Sequence, residues 1–288
     1  FVGSAMQLLF MKNYIDSALL SKTAVLFIHS VNPYGFKYLR RVTENNIDLN
    51  RNSSVPDSLY TTINEGYPKV YDLINPHEPL EMGDFSKKFF FVSAINEIRK
   101  SSMPVLRQAV LQGQYQYPEG LYFGGKKQEP QIRDIKPIFE KYTAPYSEIF
   151  AIDMHTGYGQ RGTLHLFPNP VDQNTRKRME EIFEGYKIDW GDSKDFYIIT
   201  GDFVNFLGQI IPDKEIIPIS FEYGTKDSQT TLGSLKSIEI MIAENQGKQH
   251  GYATATDSTE ILPVFVDMYF PDSEAWRSHC IDVTKQMY

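Results

Sequence analysis

Glu148-Ile-Phe-Ala-Ile-Asp-Met-His-Thr-Gly-Tyr-Gly159 carries an apolar run into a histidine and then into a loop punctuated by glycine. Ile149, Phe150, Ala151, Ile152 and Met154 suit a strand covered on both faces, and Gly157 and Gly159 allow the sharp turn that ends it. In open α/β sheets ligands bind beyond the carboxyl ends of the strands, so His155 stands where chemistry is expected. The competing reading is a histidine that merely caps a strand, and this stretch alone leaves both open.

A second run of the same kind lies downstream. Ile216 to Phe221 is apolar, ends in Glu222, and is stopped by Gly224. A carboxylate at the end of a buried strand is partly desolvated, which lifts its pKa toward that of a useful general base. A glutamate reaching solvent just past the strand is the alternative. Thr23 to His29 also reads as a central strand, with His29 a hydrogen-bonded core or supporting histidine. Thr163 to Phe167 and Phe196 to Ile199 are further strand candidates, and Ile261 to Phe270 reads as an edge strand on account of Pro263.

Helical periodicity fills most of the rest. Gly3 to Leu20 reads as a largely buried helix, Tyr67 to Leu73 as a short one, and Phe85 to Gln112 as a long one that bends or breaks at Pro104. Ile132 to Tyr142, Asp172 to Tyr186, Phe203 to Leu207, Leu232 to Ala243 and Asp272 to Tyr288 follow. The helix from Asp172 shows Met179, Ile182 and Phe183 on one side, and the last helix buries Trp276, Cys280, Val283 and Met287. Gly113 to Gly125, rich in tyrosine, reads as an ordered aromatic loop. Helices alternating with short apolar strands, with no linker of Pro, Gly and Ser, predict a single α/β domain over residues 1–288. Its expected core is one mixed, mostly parallel twisted sheet covered by helices on both faces.

Composition narrows the function classes. The net charge of −7 argues against a nucleic-acid partner, which needs clustered Lys and Arg. Arg176-Lys177-Arg178 is followed by Glu180 and Glu181 and reads as a solvated helix face. Cys280 is the only cysteine, which excludes an intrachain disulfide and a thiolate metal cluster and favours a reducing, cytoplasmic setting. No apolar run approaches a membrane span. The chain has neither a Gly-x-Ser-x-Gly elbow nor a nucleotide-binding glycine motif, so a serine hydrolase and a nucleotide-binding protein are disfavoured.

Between these strands lies Val31 to Asn52. Asn32-Pro33 and Gly35 set a turn, and Arg40, Arg41 and Arg51 follow among Asn45, Asn46, Asn50 and Asn52. A planar guanidinium matches a carboxylate in two hydrogen bonds, so the cluster suits a carboxylate clamp. A polar loop that satisfies its own backbone would use similar residues.

Taken in order, Asn32-Pro-Tyr-Gly-Phe36, Arg41, Asp48-Leu-Asn-Arg-Asn52, Asp153-Met-His-Thr-Gly157 and Phe221-Glu-Tyr223 resemble the zinc carboxypeptidase superfamily, most closely its uncharacterised bacterial branch. The resemblance spans some 190 residues. It implies a three-layer α/β/α fold and a zinc-dependent hydrolase that cleaves a C-terminal peptide or amide bond. His155 would be the third zinc ligand, Glu222 the general base and acid, and Arg41 the group that polarises the scissile carbonyl. Asn50 and Arg51 would grip the substrate carboxylate. Tyr158, Tyr197 and Tyr223 are available as the family's capping tyrosine, with Tyr158 taken as the substrate-binding candidate.

The family's His-x-x-Glu ligand pair does not occur here. Since Phe1-Val-Gly-Ser4 matches the segment that follows that pair in the resembling branch, the other two ligands are expected upstream of Phe1. His155 alone would hold zinc poorly. His77-Glu78 are adjacent rather than spaced for a shared metal, and His279 with Asp282 reads as structural. Two other functions remain: a carboxylate- or peptide-binding protein without catalysis, and an N-acyl amino acid deacylase of the succinylglutamate desuccinylase kind. The expected substrate is a peptide or an acyl-amino acid.

Overall fold

Ten consecutive residues of β1 (Glu148–Gly157) pair in parallel with ten of β3 (Glu215–Gly224), from Glu148 opposite Glu215 to Gly157 opposite Gly224. β2 (Leu164–Pro168) runs antiparallel along the other edge of β3, giving the order β1-β3-β2. These strands belong to a computed structural model that describes residues 2–83, 94–96, 102–168, 171–190 and 199–287. Pro218 sits in the middle strand, a position that proline ordinarily avoids because it lacks a donor. β2 ends where Pro168 meets Ile219, so the missing N–H of Pro218 costs no bond to β2.

The helices in chain order are α1 (Val2–Asn13), α2 (Ser17–Leu20), α3 (Pro33–Tyr38), α4 (Leu49–Asn52), α5 (Tyr67–Ile74), α6 (Met103–Leu111) and α7 (Pro130–Thr143). After the first two strands come α8 (Gln173–Ile182) and α9 (Phe203–Ile210), and after β3 come α10 (Thr231–His250), α11 (Ala255–Tyr269) and α12 (Glu274–Met287). Strand alternation splits the apolar residues between the two faces of the sheet. Ile217, Ile219, Phe221 and Tyr223 pack with Val2 and Met6 of α1, Met179 of α8, and Trp276 and Cys280 of α12. Ala151, with Ile149 and Ile216, packs on the opposite face against Ile132, Ile135 and Phe139 of α7 and Phe206 and Ile210 of α9. A third cluster, formed by α5, α6, α10 and α11 around Tyr67, Val110, Ile238 and Phe265, stands beside the sheet. The result is a mixed α/β domain: a small mixed sheet with helices around it.

Several expectations need correction. Among the described residues Thr23 to His29 pairs with no strand; Leu26 and His29 are exposed, so the run does not bury two faces and gains little from pairing. With one parallel and one antiparallel pair among the described residues, the sheet is not mostly parallel. Gly3 to Leu20 splits into α1 and α2, and of α1 only Val2 and Met6 are buried, because one side of the helix faces solvent. Ile261 to Phe270 is the second half of α11. There a capping box between Thr254 and Asp257 starts the helix, and Ile261, Phe265 and Met268 fall on its buried face. The helical spacing outweighs Pro263.

Pro104 opens α6 at its first turn instead of breaking a longer helix, and most of residues 85–101 lie outside the described residues. The strand expected at Phe196 to Ile199 likewise lies outside them, save Ile199. α8 stops at Ile182, which is exposed, whereas Met179 and Phe183 are buried. Trp276 and Cys280 are buried as expected, and burial pushes the Cys280 thiol up to about 12, as suits an inert packed cysteine. No described helix is long and apolar enough to cross a membrane.

Candidate functional site

Asp153 and His155 are two residues apart on β1, so the period of the strand puts both side chains on one face. Asp153 Oδ2 lies 2.7 Å from His155 Nε2. Burial disfavours the charged imidazole, but the carboxylate outweighs it and pushes the His155 pKa up to about 9. The other ring nitrogen, Nδ1, has no hydrogen-bond partner among the described residues. A carboxylate that fixes one nitrogen while the other stays open is the arrangement that orients a metal-ligating histidine.

Glu222 occupies the register position opposite His155 on β3. Its Oε1 accepts the backbone N–H of Tyr158 at 2.9 Å. Burial raises its pKa above the ordinary carboxylate range, and the charge of His155 only partly offsets this. The Tyr158 loop is held in turn by Ser228, whose Oγ accepts from Gly159 N at 2.9 Å, and by Asp227, whose Oδ1 accepts from Arg161 N at 2.8 Å.

The third contribution comes from the stretch between α3 and α4. Asp48 caps α4, accepting from Asn50 N at 3.0 Å, and also accepts from Arg41 Nε at 2.8 Å. Burial works against the Asp48 charge, yet Arg41 and Arg51 together hold its carboxyl below the usual range. Burial likewise opposes the charge on Arg41, and Asp48 overcomes it. Tyr122 lies under both guanidiniums, 5.2 Å from Arg41 and 5.3 Å from Arg51. Asn50 Oδ1 accepts from Phe203 N at 2.9 Å, while its Nδ2 has no partner among the described residues.

Arg51 is almost fully buried. Its Nε and Nη2 donate to Leu111 O and its Nη1 to Asn50 O, so three of five donors are committed to backbone. The clamp expected here is thus anchored through Arg51 and retains only part of that residue's capacity.

Arg41, Asn50, Arg51, His155, Tyr158 and Glu222 together line one cavity of about 630 Å³. Segments as distant as residues 41–51, 155–158 and 222 converge there. His29 is not among the lining residues; it is exposed and packs on Phe36. Tyr223 points to the other face, where its hydroxyl meets Thr284 at 2.6 Å, and so leaves the set of capping candidates. Tyr197 lies outside the described residues.

Other lining residues went unread in the sequence. Tyr269 of α11 contributes its ring, within 3.3 Å of where a Cβ on Gly157 would stand, and its hydroxyl donates to Met241 Sδ. Its signal was hidden by the strand reading of that segment. Arg176, expected on a solvated face, lines the cavity and stacks 4.3 Å over Trp190. Asp153, which supports His155 without lining the cavity, is legible from its spacing to that histidine.

A catalytic zinc takes three protein ligands. His165, in register with Glu222 from β2, is not available, because its Nδ1 faces Asp189 at 3.1 Å and its Nε2 accepts from Gln160 N. Among the described residues no three His, Cys, Asp or Glu ligand atoms come within mutual reach at the cavity. His155 therefore fits one ligand position with its supporting carboxylate, and the described donors do not complete a zinc site.

Over residues 1–283 the chain matches the family described as "Protein of unknown function (DUF2817)". No curated protein and no solved structure matches it.

Proposed function

The chain belongs to the DUF2817 family, and from that premise we propose that it is a zinc-dependent hydrolase of the carboxypeptidase type, cleaving a C-terminal peptide or amide bond. The reading extends to the fold: the small sheet with helices against both faces would be the centre of a three-layer domain like that of the zinc carboxypeptidases. One observation carries the proposal, the convergence of His155, Glu222, Arg41, Asn50 and Arg51 on a single cavity. That is the set which the resemblance assigns to catalysis and to the grip on substrate.

The roles follow from the chemistry of the lining residues. A zinc ion held by His155 and two further ligands would supply Lewis-acid activation of water. Glu222, its carboxyl raised by burial, accepts the water's proton and returns it to the leaving amine. Arg41, held by Asp48 through its Nε and also hydrogen-bonded to Tyr269, has further guanidinium donors at the cavity, and these suit the oxyanion that develops on the scissile carbonyl. Asn50 Nδ2 and the uncommitted donors of Arg51 receive the substrate's terminal carboxylate. A carboxylate-binding protein without catalysis is the second reading, favoured by the single open imidazole at the cavity.

The test is a panel of peptides and N-acyl amino acids with free or amidated C-termini, with products followed by mass spectrometry. Release of the terminal residue from free acids but not from amides supports both hydrolysis and clamp. Equal cleavage of the amides would remove the clamp from the account, and binding without any cleavage would favour the second reading.

A further inference from the structure

His77, Glu119 and His250 belong to three segments far apart in sequence, yet their ligand atoms all lie within 4.8 Å of one another. His77 follows α5, Glu119 sits in the aromatic loop between α6 and α7, and His250 is the last residue of α10. None of the three lines the cavity. The backbone beneath each is pinned. Gln246 Nε2 donates to Glu78 O at 2.8 Å, Leu80 N to Gly251 O at 2.8 Å, and Asn245 Nδ2 to Glu119 O at 2.8 Å. Asn46 Nδ2 donates to Pro118 O at 2.9 Å, which fixes the Glu119 loop from its other side.

The side chains themselves make no hydrogen bond or ion pair with any described group. The two imidazole rings meet at 5.2 Å, edge to face, and His77 also packs on Tyr71. Two unbonded imidazoles and one unbonded carboxylate on a fixed backbone are a donor set in search of an acceptor for their lone pairs. Such nitrogen-rich sets suit zinc, nickel or copper, whereas magnesium and calcium prefer oxygen ligands throughout.

We propose that His77, Glu119 and His250 form a binding site for a divalent transition-metal ion, separate from the His155 cavity. The exposure of His77 and Glu119 leaves the remaining coordination positions to water. The ion would clip the aromatic loop to the ends of α5 and α10 and so stabilise the folded chain by mass action. Tyr122, three residues beyond Glu119, is the ring beneath Arg41 and Arg51, so the clip fastens the loop that floors the candidate site.

The full chain is titrated with Co2+, read by its visible spectrum and by the shift in Tm, alongside the double variant His77→Ala/His250→Ala, the variant Glu119→Gln and the variant His155→Ala. The expected result is one equivalent of Co2+ uptake, with its rise in Tm, that is lost in the double variant and persists in His155→Ala, whatever is bound at the His155 cavity. In Glu119→Gln the Kd should rise more than about tenfold, since even loss of a ligand's supporting partner has that effect. Since Glu119 has no polar partner to lose among the described residues, the metal-free Tm should hold in Glu119→Gln, and each variant's response to Co2+ is read against its own metal-free Tm. Unchanged uptake and Tm response in the double variant, or uptake that disappears only with His155→Ala, would overturn the site.

Discussion

His155 and Glu222 stand opposite each other on neighbouring parallel strands, β1 and β3. Register pairing sends both side chains to the same face, at the ends of two apolar runs where the chain turns away. An imidazole held by Asp153 and a carboxyl group raised by burial therefore meet at one cavity as a direct consequence of strand pairing.

Asp153 acts through His155. Asp153→Ala should leave the sheet intact, because the side chain is partly exposed, but free the imidazole to rotate. Hydrolysis and zinc affinity are expected to fall about 10- to 100-fold, the range for lost ligand support. Wild-type values for both in the variant would mean that the carboxylate does not position the ring.

The Arg41–Asp48 pair predicts a pH dependence of stability. The folded pKa of Asp48 lies below its unfolded value of about 3.9. Its contribution is thus present above pH 4 or so and is lost as pH falls through the folded pKa. Asp48→Asn should cost about 3 kcal/mol near neutrality, as for a broken buried pair, and should show a flatter loss of stability on acidification. Urea unfolding at pH 7 and below pH 4 measures both. Parallel pH profiles for variant and wild type would contradict the linkage.

Gly224 closes β3 beside the site. A Cβ there would overlap the Gln160 carbonyl, and the Gly224 backbone is fixed by bonds from Gly162 N and Trp276 Nε1 to its oxygen, each 3.0 Å. Gly224→Ala is expected to destabilise the chain by about 1–3 kcal/mol through overpacking, visible in calorimetry. A Tm equal to that of the wild type would show that the Gln160 turn yields freely.

Much of this arrangement is visible in the residue order, for a physical reason. β1 and β3 are continuous apolar runs ended by glycine, but only the middle strand β3 is covered on both faces; β1 lies at the edge and leaves Phe150 and Ile152 exposed. The pairing of the two runs brings the side chains at their ends together. Thr23 to His29 has the same pattern but pairs with no strand among the described residues, because pairing is decided by which partner edges are free, a property of the whole fold. The expectation of an edge strand at Ile261 to Phe270 took no account of the Thr254–Asp257 cap that starts α11. With it Tyr269 went unseen, and so did the turn of Arg176 into the cavity, since a helix face shows its neighbours only once packed.

The central claim is that Glu222 is the proton-transferring group of a hydrolytic site. Glu222→Gln preserves the shape of the side chain and an acceptor for Tyr158 N–H, so Tm and zinc content should match the wild type. Measured on any substrate that the wild type cleaves, kcat should fall by about 10²- to 10⁴-fold with KM little changed. Full kcat in Glu222→Gln, with folding and metal content intact, would contradict the account.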